Sequence, residues 1–259
     1  MLSKIFDTHA HYDDEAFNND REELIKELQE NNIAHIVNVG ASIESCKRTI
    51  ELVNKYDIFY GALGVHPSDT KLLTDVDMLW LSMALQDEKM LAVGEIGLDY
   101  YYNEPEKDIQ KKWFIRQLNI ARELKKPVII HSREAAADTL DIMKAEKCNE
   151  IGGVIHCYSY SKEMAREYLD MGFYIGVGGV VTFKNAKKLK EVVEYVPLER
   201  IVLETDCPYL APVPNRGKRN SSLNLPYVVD EIADIKNISR EEVINKTYDN
   251  ALKLYKIIR

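Results

Sequence analysis

Short apolar segments and longer amphipathic segments alternate along the chain, and this alternation restricts the fold more than any other feature of the sequence. Eight short segments rich in β-branched and apolar residues predict strands. They are residues 4–7, 34–39, 59–64, 91–95, 127–131, 153–156, 174–177 and 201–204. Their ends recur about every 28 residues, a normal length for one strand followed by one helix. The alternation therefore predicts an α/β fold with a parallel sheet.

The longer segments place apolar residues at helical spacing and predict eight helices. They are residues 20–30, 42–56, 109–125, 134–147, 162–171, 186–195, 227–234 and 240–257. Because the sequence contains no linker rich in Pro, Gly or Ser, residues 1–259 are predicted to form one domain. Two architectures share this pattern, an eight-stranded barrel and a doubly wound open sheet, and periodicity alone does not separate them.

Side chains that commonly bind metals lie at the ends of five predicted strands, and their placement favours the barrel. They are His9 and His11, Glu95, His131, His156 and Asp206, at the first, fourth, fifth, sixth and eighth strands. The strand ends of a barrel converge on one face, whereas an open sheet would leave the first and eighth ends far apart. His66 lies at a further strand end, and only His35 lies inside a strand, where we assign it a structural role. We therefore predict a single (β/α)8 TIM-type barrel with an additional C-terminal helix.

Four histidines and two carboxylates exceed the four ligands of one tetrahedral zinc ion and predict two divalent metal ions. Glu95 is the candidate bridge between them, because its strand lies between the first and fifth strands in chain order. A bridging water would become the nucleophile, and Asp206 would bind one ion and orient or deprotonate that water. Histidine-rich sites favour Zn²⁺ or Mn²⁺ and oxygen-only sites favour Mg²⁺, so the metal stays open among Mg, Mn and Zn.

Composition and net charge exclude several classes of protein. The chain is 46% hydrophobic and 29% charged, as in ordinary globular proteins. No apolar run reaches about 18 residues and no signal-peptide pattern is present, so we expect no membrane association. Four cysteines without close CxxC spacing indicate reduced thiols and a cytoplasmic location, and no motif for a protein partner is visible. A net charge of −8 opposes coating of nucleic acid by bulk electrostatics, but it is compatible with an enzyme that holds a few phosphates locally.

Six short motifs give the chain a family resemblance. They are DTHAH, GVHP, GEIGLDYYY, IIHSRE, GVIHCYSYS and LETDCPYLAP, in this order along the chain. With these motifs the chain resembles the TatD family of metal-dependent deoxyribonucleases, which are amidohydrolase-type barrels, from residue 7 to about residue 227. The glutamate of GEIGLDY resembles the metal-bridging glutamate of TatD-like proteins, whereas many other relatives use a carboxylated lysine.

The resemblance implies a role for each ligand. His9, His11, Glu95 and Asp206 would hold one metal ion, and Glu95, His131 and His156 would hold the other. It also implies that magnesium can support activity. His66 would not bind metal but would face the substrate phosphate as a hydrogen-bond donor, and the alternative is a histidine that caps the turn at Pro67. The implied catalytic residues are Asp206, Glu95 and His66.

Further residues near the strand ends are candidates for substrate binding. Arg133 would pair with a phosphate or with Glu204, and Tyr158 and the tyrosines at 100–102 would stack on bases or pack internally. The loop after the eighth strand adds three cations, which either hold phosphates or are solvated. They are Arg216, Lys218 and Arg219. The TatD family typically shows Asn-Glu-Pro just after this run, whereas this chain reads RNSSLNLP and lacks the glutamate.

These observations predict a cytoplasmic two-metal hydrolase that cleaves DNA phosphodiester bonds with a metal-activated hydroxide, in the manner of an exonuclease and on single-stranded DNA. The alternative is a small-molecule hydrolase of esters, lactones, amides or phosphoesters, because one fold supports many reactions. A second alternative is a non-enzymatic protein that keeps a metal site for stability, although structural zinc sites need only four ligands. Asp7, two residues before His9, is predicted either to fix an imidazole or to cap the strand.

Overall fold

The structure, a computed structural model, describes residues 4–258 and contains eight parallel strands in one sheet. The strands are β1 Ile5–Ala10, β2 Ile33–Val39, β3 Phe59–Leu63, β4 Met90–Asp99, β5 Val128–Arg133, β6 Gly153–Ile155, β7 Tyr174–Val177 and β8 Ile201–Leu203. Each strand pairs with the next one along the chain. The segment after β8 closes the ring, because Ala10 pairs with Cys207 and the Cys207 carbonyl accepts from the His11 amide at 2.8 Å. The predicted (β/α)8 barrel is confirmed.

Helices connect the strands on the outside of the barrel. Within residues 4–258 the α-helices are α1 Arg21–Glu30, α2 Ile43–Lys55, α3 Asp75–Ala84, α4 Lys107–Leu124, α5 Ala136–Ala145, α6 Lys162–Asp170, α7 Lys187–Tyr195, α8 Leu225–Lys236 and α9 Arg240–Leu254. The additional C-terminal helix predicted from the sequence is α9. In this part of the chain, every helix is too short or too polar to cross a membrane. That residues 1–259 form one domain stays a prediction.

Helix α3 is absent from the sequence-based prediction, although its start is well defined. The Thr74 hydroxyl accepts from the Asp77 amide, and the Asp77 carboxylate accepts from the Thr74 amide at 2.8 Å. Met78 and Leu81 are buried, but three further apolar side chains of this helix are exposed. They are Val76, Leu79 and Met83, with exposed fractions of 74%, 63% and 63%. Because apolar residues lie on both faces, the sequence shows no clear helical period here.

Two strands contain an extra residue beside the predicted ligands. One register shift lies between Asp7 and Ala10 of β1, and another between Val93 and Ile96 of β4. Each shift is a β-bulge, a residue in one strand that the neighbouring strand does not match. A bulge exchanges the faces to which side chains point, and these two contain His9 and Glu95. The bulges therefore set the direction of two predicted ligands.

Apolar side chains also fill the inside of the barrel. A cluster of buried residues takes members from seven strands. These are Phe6, Val37, Val39, Ala62, Ala92, Ile129, Val154 and Val202. Leu252 and Tyr255, at the end of α9 and just beyond it, complete the cluster, and the Tyr255 hydroxyl donates to the Thr8 carbonyl at 2.9 Å. The C-terminal helix thus packs against the interior of the barrel, which leaves the opposite end for a site.

Candidate metal centre

The carboxyl ends of the strands bring all six predicted metal ligands together. They are His9 in β1, His11 just beyond it, Glu95 in β4, His131 in β5, and His156 and Asp206 just beyond β6 and β8. With His66 and Asp99 they form three clusters, each compact enough to hold an ion: His9, His11 and Asp206; His9, Glu95 and His156; and His66, Asp99 and His131. Because five strands contribute, the site exists only when the barrel has closed.

The first group consists of His9, His11 and Asp206. The Nε2 atoms of His9 and His11 lie 3.2 Å apart, and Oδ1 of Asp206 lies 3.3 Å from Nε2 of His11. The Nδ1–H of His11 donates to the Val39 carbonyl at 2.7 Å, because a carbonyl oxygen can only accept. In the neutral ring, Nε2 of His11 therefore presents a lone pair to the group. These side chains are placed to hold one cation.

The second group consists of Glu95, His131 and His156. Oε1 of Glu95 lies 2.8 Å from Nδ1 of His131 and 2.8 Å from Nε2 of His156. These two nitrogen atoms are 3.4 Å apart. The group is buried at the top of β4, β5 and β6, and two imidazoles and a carboxylate oxygen make a suitable set for a second cation.

Glu95 joins the two groups through its two oxygen atoms. Oε1 faces His131 and His156, whereas Oε2 lies 3.5 Å from Nε2 of His9 and 4.0 Å from Nε2 of His11. A carboxylate that presents one oxygen to each histidine pair has the arrangement of a bridging ligand. The placement of Glu95 is therefore the one expected of the predicted bridge.

The buried carboxylates of the site stay ionised only because positive charge lies beside them. Burial opposes the ionisation of Glu95, but the neighbouring histidines hold the pKa of its carboxyl well below its usual range. Burial likewise disfavours charged imidazoles, yet Glu95 raises the pKa of His156 to about 10 and Asp206 raises that of His11 to about 9. Divalent cations would supply this positive charge with the imidazoles neutral. Facing imidazole nitrogens and buried carboxylates fit divalent cations.

Asp99 is a site residue that the sequence analysis does not identify. It lies at the end of β4, and its Oδ2 accepts from Nε2 of His131 at 3.1 Å. This bond leaves Nδ1 of His131 directed at Glu95, which is how a carboxylate orients a metal-binding histidine. The signal in the sequence was its position in GEIGLDYYY, four residues after Glu95 and on the same strand.

His66 caps the turn at Pro67, which is one of its two predicted alternatives, and its role toward a substrate phosphate stays a prediction. It caps the 3-10 turn Pro67–Leu72, where Nδ1 accepts from the Ser68 amide at 3.2 Å. Its Nε2 lies 3.9 Å from Oε1 of Glu95, and its ring packs edge-on against His131. The cap fixes the ring, and the free nitrogen faces the site.

Asp7 does not contact an imidazole, so the first of its two predicted roles is wrong. Its Oδ2 accepts from the hydroxyls of Thr205 at 2.7 Å and Ser222 at 2.6 Å, and its Oδ1 accepts from the His9 amide at 3.3 Å. The bulge in β1 turns Asp7 and His9 in different directions. Asp7 therefore fixes the end of β1 to the segment that contains Asp206.

The structure excludes one of the two predicted alternatives for each of Arg133 and Tyr158. Arg133 does not pair with Glu204 in the described part of the chain; its guanidinium stacks 3.7 Å from the centre of the Tyr101 ring at the edge of the site. Tyr158 is only 2% exposed, and its hydroxyl donates to the Ser161 carbonyl at 2.6 Å. Tyr158 is therefore a packing residue, because its ring has no face left for a base.

The three cations of the loop after β8 do not line the site. Arg219 forms an ion pair with Asp20, with one bond of 2.7 Å, and donates to the Ala16 carbonyl. Arg216 stacks on Phe183 with its guanidinium 4.4 Å from the ring centre, and Lys218 is exposed. The role predicted for Arg219 in substrate binding is corrected to a structural one, because its guanidinium already donates to Ala16 and Asp20, just before α1.

An open cleft of about 830 Å³ leads from solvent to five of the six predicted ligands, and the sixth, His9, is buried beside them. Around the ligands it is lined by Asp14, Arg48, Tyr102, Arg133, Tyr209 and Leu210, among others. Asp206 and His11 keep 19% and 13% of their side chains accessible, which makes the first group reachable from the cleft. A (β/α)8 barrel with this donor set at the open carboxyl ends of its strands is the arrangement of a metal-dependent hydrolase.

Comparisons with known proteins define the family. The model of the family described as TatD related DNase matches residues 6–256, and the chain belongs to this family. YabD of Bacillus subtilis (strain 168), described as an uncharacterized metal-dependent hydrolase, is 43% identical over 253 residues, which cover 98% of this chain and 99% of YabD. YcfH of Escherichia coli (strain K12), described in the same words, is 39% identical over 256 residues, covering 98% and 96%. The crystal structure of YJJV, a TatD homolog from Escherichia coli K12, superposes with a TM-score of 0.93 at 29% identity and covers all of both chains.

Proposed function

We propose that this metal-dependent hydrolase is a two-metal phosphodiesterase that cleaves DNA, with a single strand as substrate. The observation that carries the proposal is the Glu95 carboxylate, which presents one oxygen to each of two histidine pairs at the base of an open cleft. Two-metal sites of this kind are typical of phosphoryl-transfer hydrolases. DNA as the substrate is supported by the description of the matched family.

The six ligands divide between two ions. His9, His11, Asp206 and Oε2 of Glu95 would hold the first ion, and Oε1 of Glu95, His131 and His156 would hold the second. When bound, two divalent ions, Mg²⁺, Mn²⁺ or Zn²⁺, supply an activated water and neutralise charge on the phosphoryl group. Asp206, whose side chain is 19% accessible from the cleft, would accept the proton of the attacking water.

Two side chains are placed to bind the substrate phosphate. His66 presents Nε2 beside Glu95 and would donate to a nonbridging oxygen, since its Nδ1 already accepts from the turn. Arg133 stands at the edge of the cleft, and within residues 4–258 no carboxylate forms an ion pair with it, so its donors are free for a phosphate.

The four cysteines form no disulfide in the described residues, which supports the cytoplasm as the proposed location.

The test is a gel assay on end-labelled single-stranded DNA. Metal-stripped protein is supplied with Mg²⁺, Mn²⁺ or Zn²⁺, beside a Glu95→Ala variant and a matched Glu88→Ala variant, whose glutamate is exposed away from the cleft. We expect a metal-dependent ladder from the wild type and Glu88→Ala and none from Glu95→Ala. Absence of cleavage by protein that binds two ions would exclude DNA and favour a small-molecule ester, lactone or phosphoester as substrate.

A further inference from the structure

Two tyrosine rings stand exposed at the rim of the catalytic cleft. Tyr102 and Tyr209 both line the cleft, and their exposed fractions are 57% and 56%. Tyrosine is on average partly buried, and a ring left more than half exposed beside a site offers a large apolar face to a ligand. Their exposure beside the metal centre calls for a ligand with flat apolar faces.

The two rings approach the cleft from opposite sides. Tyr102 lies in the loop after β4, and Tyr209 lies in the loop after β8. In a closed ring of eight strands in chain order, three strands separate β4 from β8 in either direction. Glu95 and Asp206, from the same two strand ends, place the reacting centre between the rings.

Neighbouring side chains contact both rings, and more than half of each tyrosine stays exposed. The Tyr209 hydroxyl donates to the Asp14 carboxylate at 3.2 Å. Tyr102 packs edge-on against Tyr101 with ring centres 4.9 Å apart, and Tyr101 supports the Arg133 guanidinium, which lies 5.7 Å from the Tyr102 ring. An aromatic face and an unpaired cation thus adjoin on the β4 side of the cleft.

We propose that Tyr102 and Tyr209 are stacking sites for the two bases that flank the scissile phosphate, with Arg133 holding a phosphate on the Tyr102 side. This inference rests on the proposed function and names its substrate class more closely. Adjacent bases of a duplex stack on each other and cannot reach opposite walls of the cleft. The substrate is therefore an unpaired strand whose bases separate at the cleaved bond.

The experiment uses substrates with a single phosphodiester bond. Thymidylyl-thymidine is compared with two analogues. In each analogue a tetrahydrofuran unit replaces one of the two nucleosides, so that one base or the other is absent. For the wild type, removal of either base should raise KM about tenfold, the order of one base–aromatic stack. Tyr102→Ala should lose the effect of one base and Tyr209→Ala that of the other. The change should appear in KM more than in kcat, because stacking is equal in ground and transition states.

Matched variants separate stacking from general damage. Tyr102→Phe and Tyr209→Phe keep the rings and should restore the base dependence, although the second loses the bond to Asp14. Tyr195→Ala removes a tyrosine that is 47% exposed at the end of α7, outside the cleft, and should leave KM unchanged. Cleavage of all three substrates by the wild type with the same KM would overturn the stacking sites and leave the nuclease intact. Failure of the wild type to cleave any of them, and oligonucleotides as well, would overturn the proposed function and the inference with it.

Discussion

At the scale of the residue, Glu204 shows how a side chain outside the ligand set fixes a ligand. Its carboxylate is 1% exposed, and Oε1 accepts from the Cys157 amide at 2.5 Å. Oε2 covers Gly176, where a β-carbon would lie 2.3 Å away from it. Cys157 follows His156 directly and has a φ of 46°. The bond to Glu204 therefore holds the turn that directs His156 at Glu95.

Replacement of this buried carboxyl should weaken metal binding more than folding. Burial raises the pKa of Glu204 to about 7, so the carboxyl carries part of a negative charge at neutral pH. Glu204→Gln keeps an acceptor for the Cys157 amide but removes this charge, which lies 3.9 Å from Nδ1 of His156. We expect affinity for the second ion to fall about 10- to 100-fold, as for other groups that support metal ligands. Calorimetric titration of the metal-stripped protein with Mn²⁺ measures this. Glu199→Gln, an exposed glutamate paired with Lys246, is the control, and equal affinity in both variants would limit Glu204 to a packing role.

Asp7 should contribute to stability through its hydrogen bonds. Asp7→Ala would leave the hydroxyls of Thr205 and Ser222 without their shared acceptor in the interior. Buried donors without partners cost about 1–3 kcal/mol each, so we expect a loss of about 3 kcal/mol in the free energy of unfolding. Urea denaturation measures this loss. Asp57→Ala, at an exposed position near Lys89, should change it by less than about 0.5 kcal/mol, and a similar value for Asp7→Ala would contradict the role.

At the scale of the element, the strands were predictable and several details around the site were not. Strands β2 and β7 match their predicted ranges to within one residue, because buried parallel strands are short runs of apolar residues. β4 extends to Asp99, four residues past its predicted end, because its bulge interrupts the apolar pattern without ending the strand. The directions of His9 and Glu95 depend on bulges, and a bulge leaves no periodic signal in the sequence.

The capping box of α3 should make that helix sensitive to acid. The Thr74 hydroxyl and amide bind the Asp77 carboxylate and lower its pKa. A carboxyl whose folded pKa is lowered stabilises the protein above its unfolded pKa of about 4 and loses this effect as the pH falls further. Thr74→Ala should therefore cost about 1 kcal/mol at neutral pH and less near pH 3. Denaturation of both proteins at the two pH values checks this, and a difference independent of pH would exclude the charged cap.

At the scale of the whole molecule, contacts between distant segments decide which predicted residues reach the cleft. The ion pair of Arg219 with Asp20 joins residues 199 positions apart, and it holds the loop after β8 against the start of α1. The sequence shows a basic loop but not the carboxylate that meets it. The convergence of the six predicted ligands could be predicted for the opposite reason, because each lies in or just beyond a strand and barrel closure brings the strand ends together.

Removal of the ions should weaken the entire barrel, because their ligands come from five strands on all sides of the ring. Without them, the carboxylates of Glu95 and Asp206 depend on protonated histidines for balance. An ion present at about 100 times its Kd stabilises the folded state by about 2.7 kcal/mol, so two ions supply about 5 kcal/mol. For a chain of this length, chelation should lower Tm by about 10–20 °C. Calorimetry with EDTA or with Mn²⁺ measures the shift. Glu95→Ala should show a much smaller shift in Tm on chelation, since it removes a ligand from both ions. A wild-type Tm that chelation leaves unchanged would contradict tight binding of the two ions.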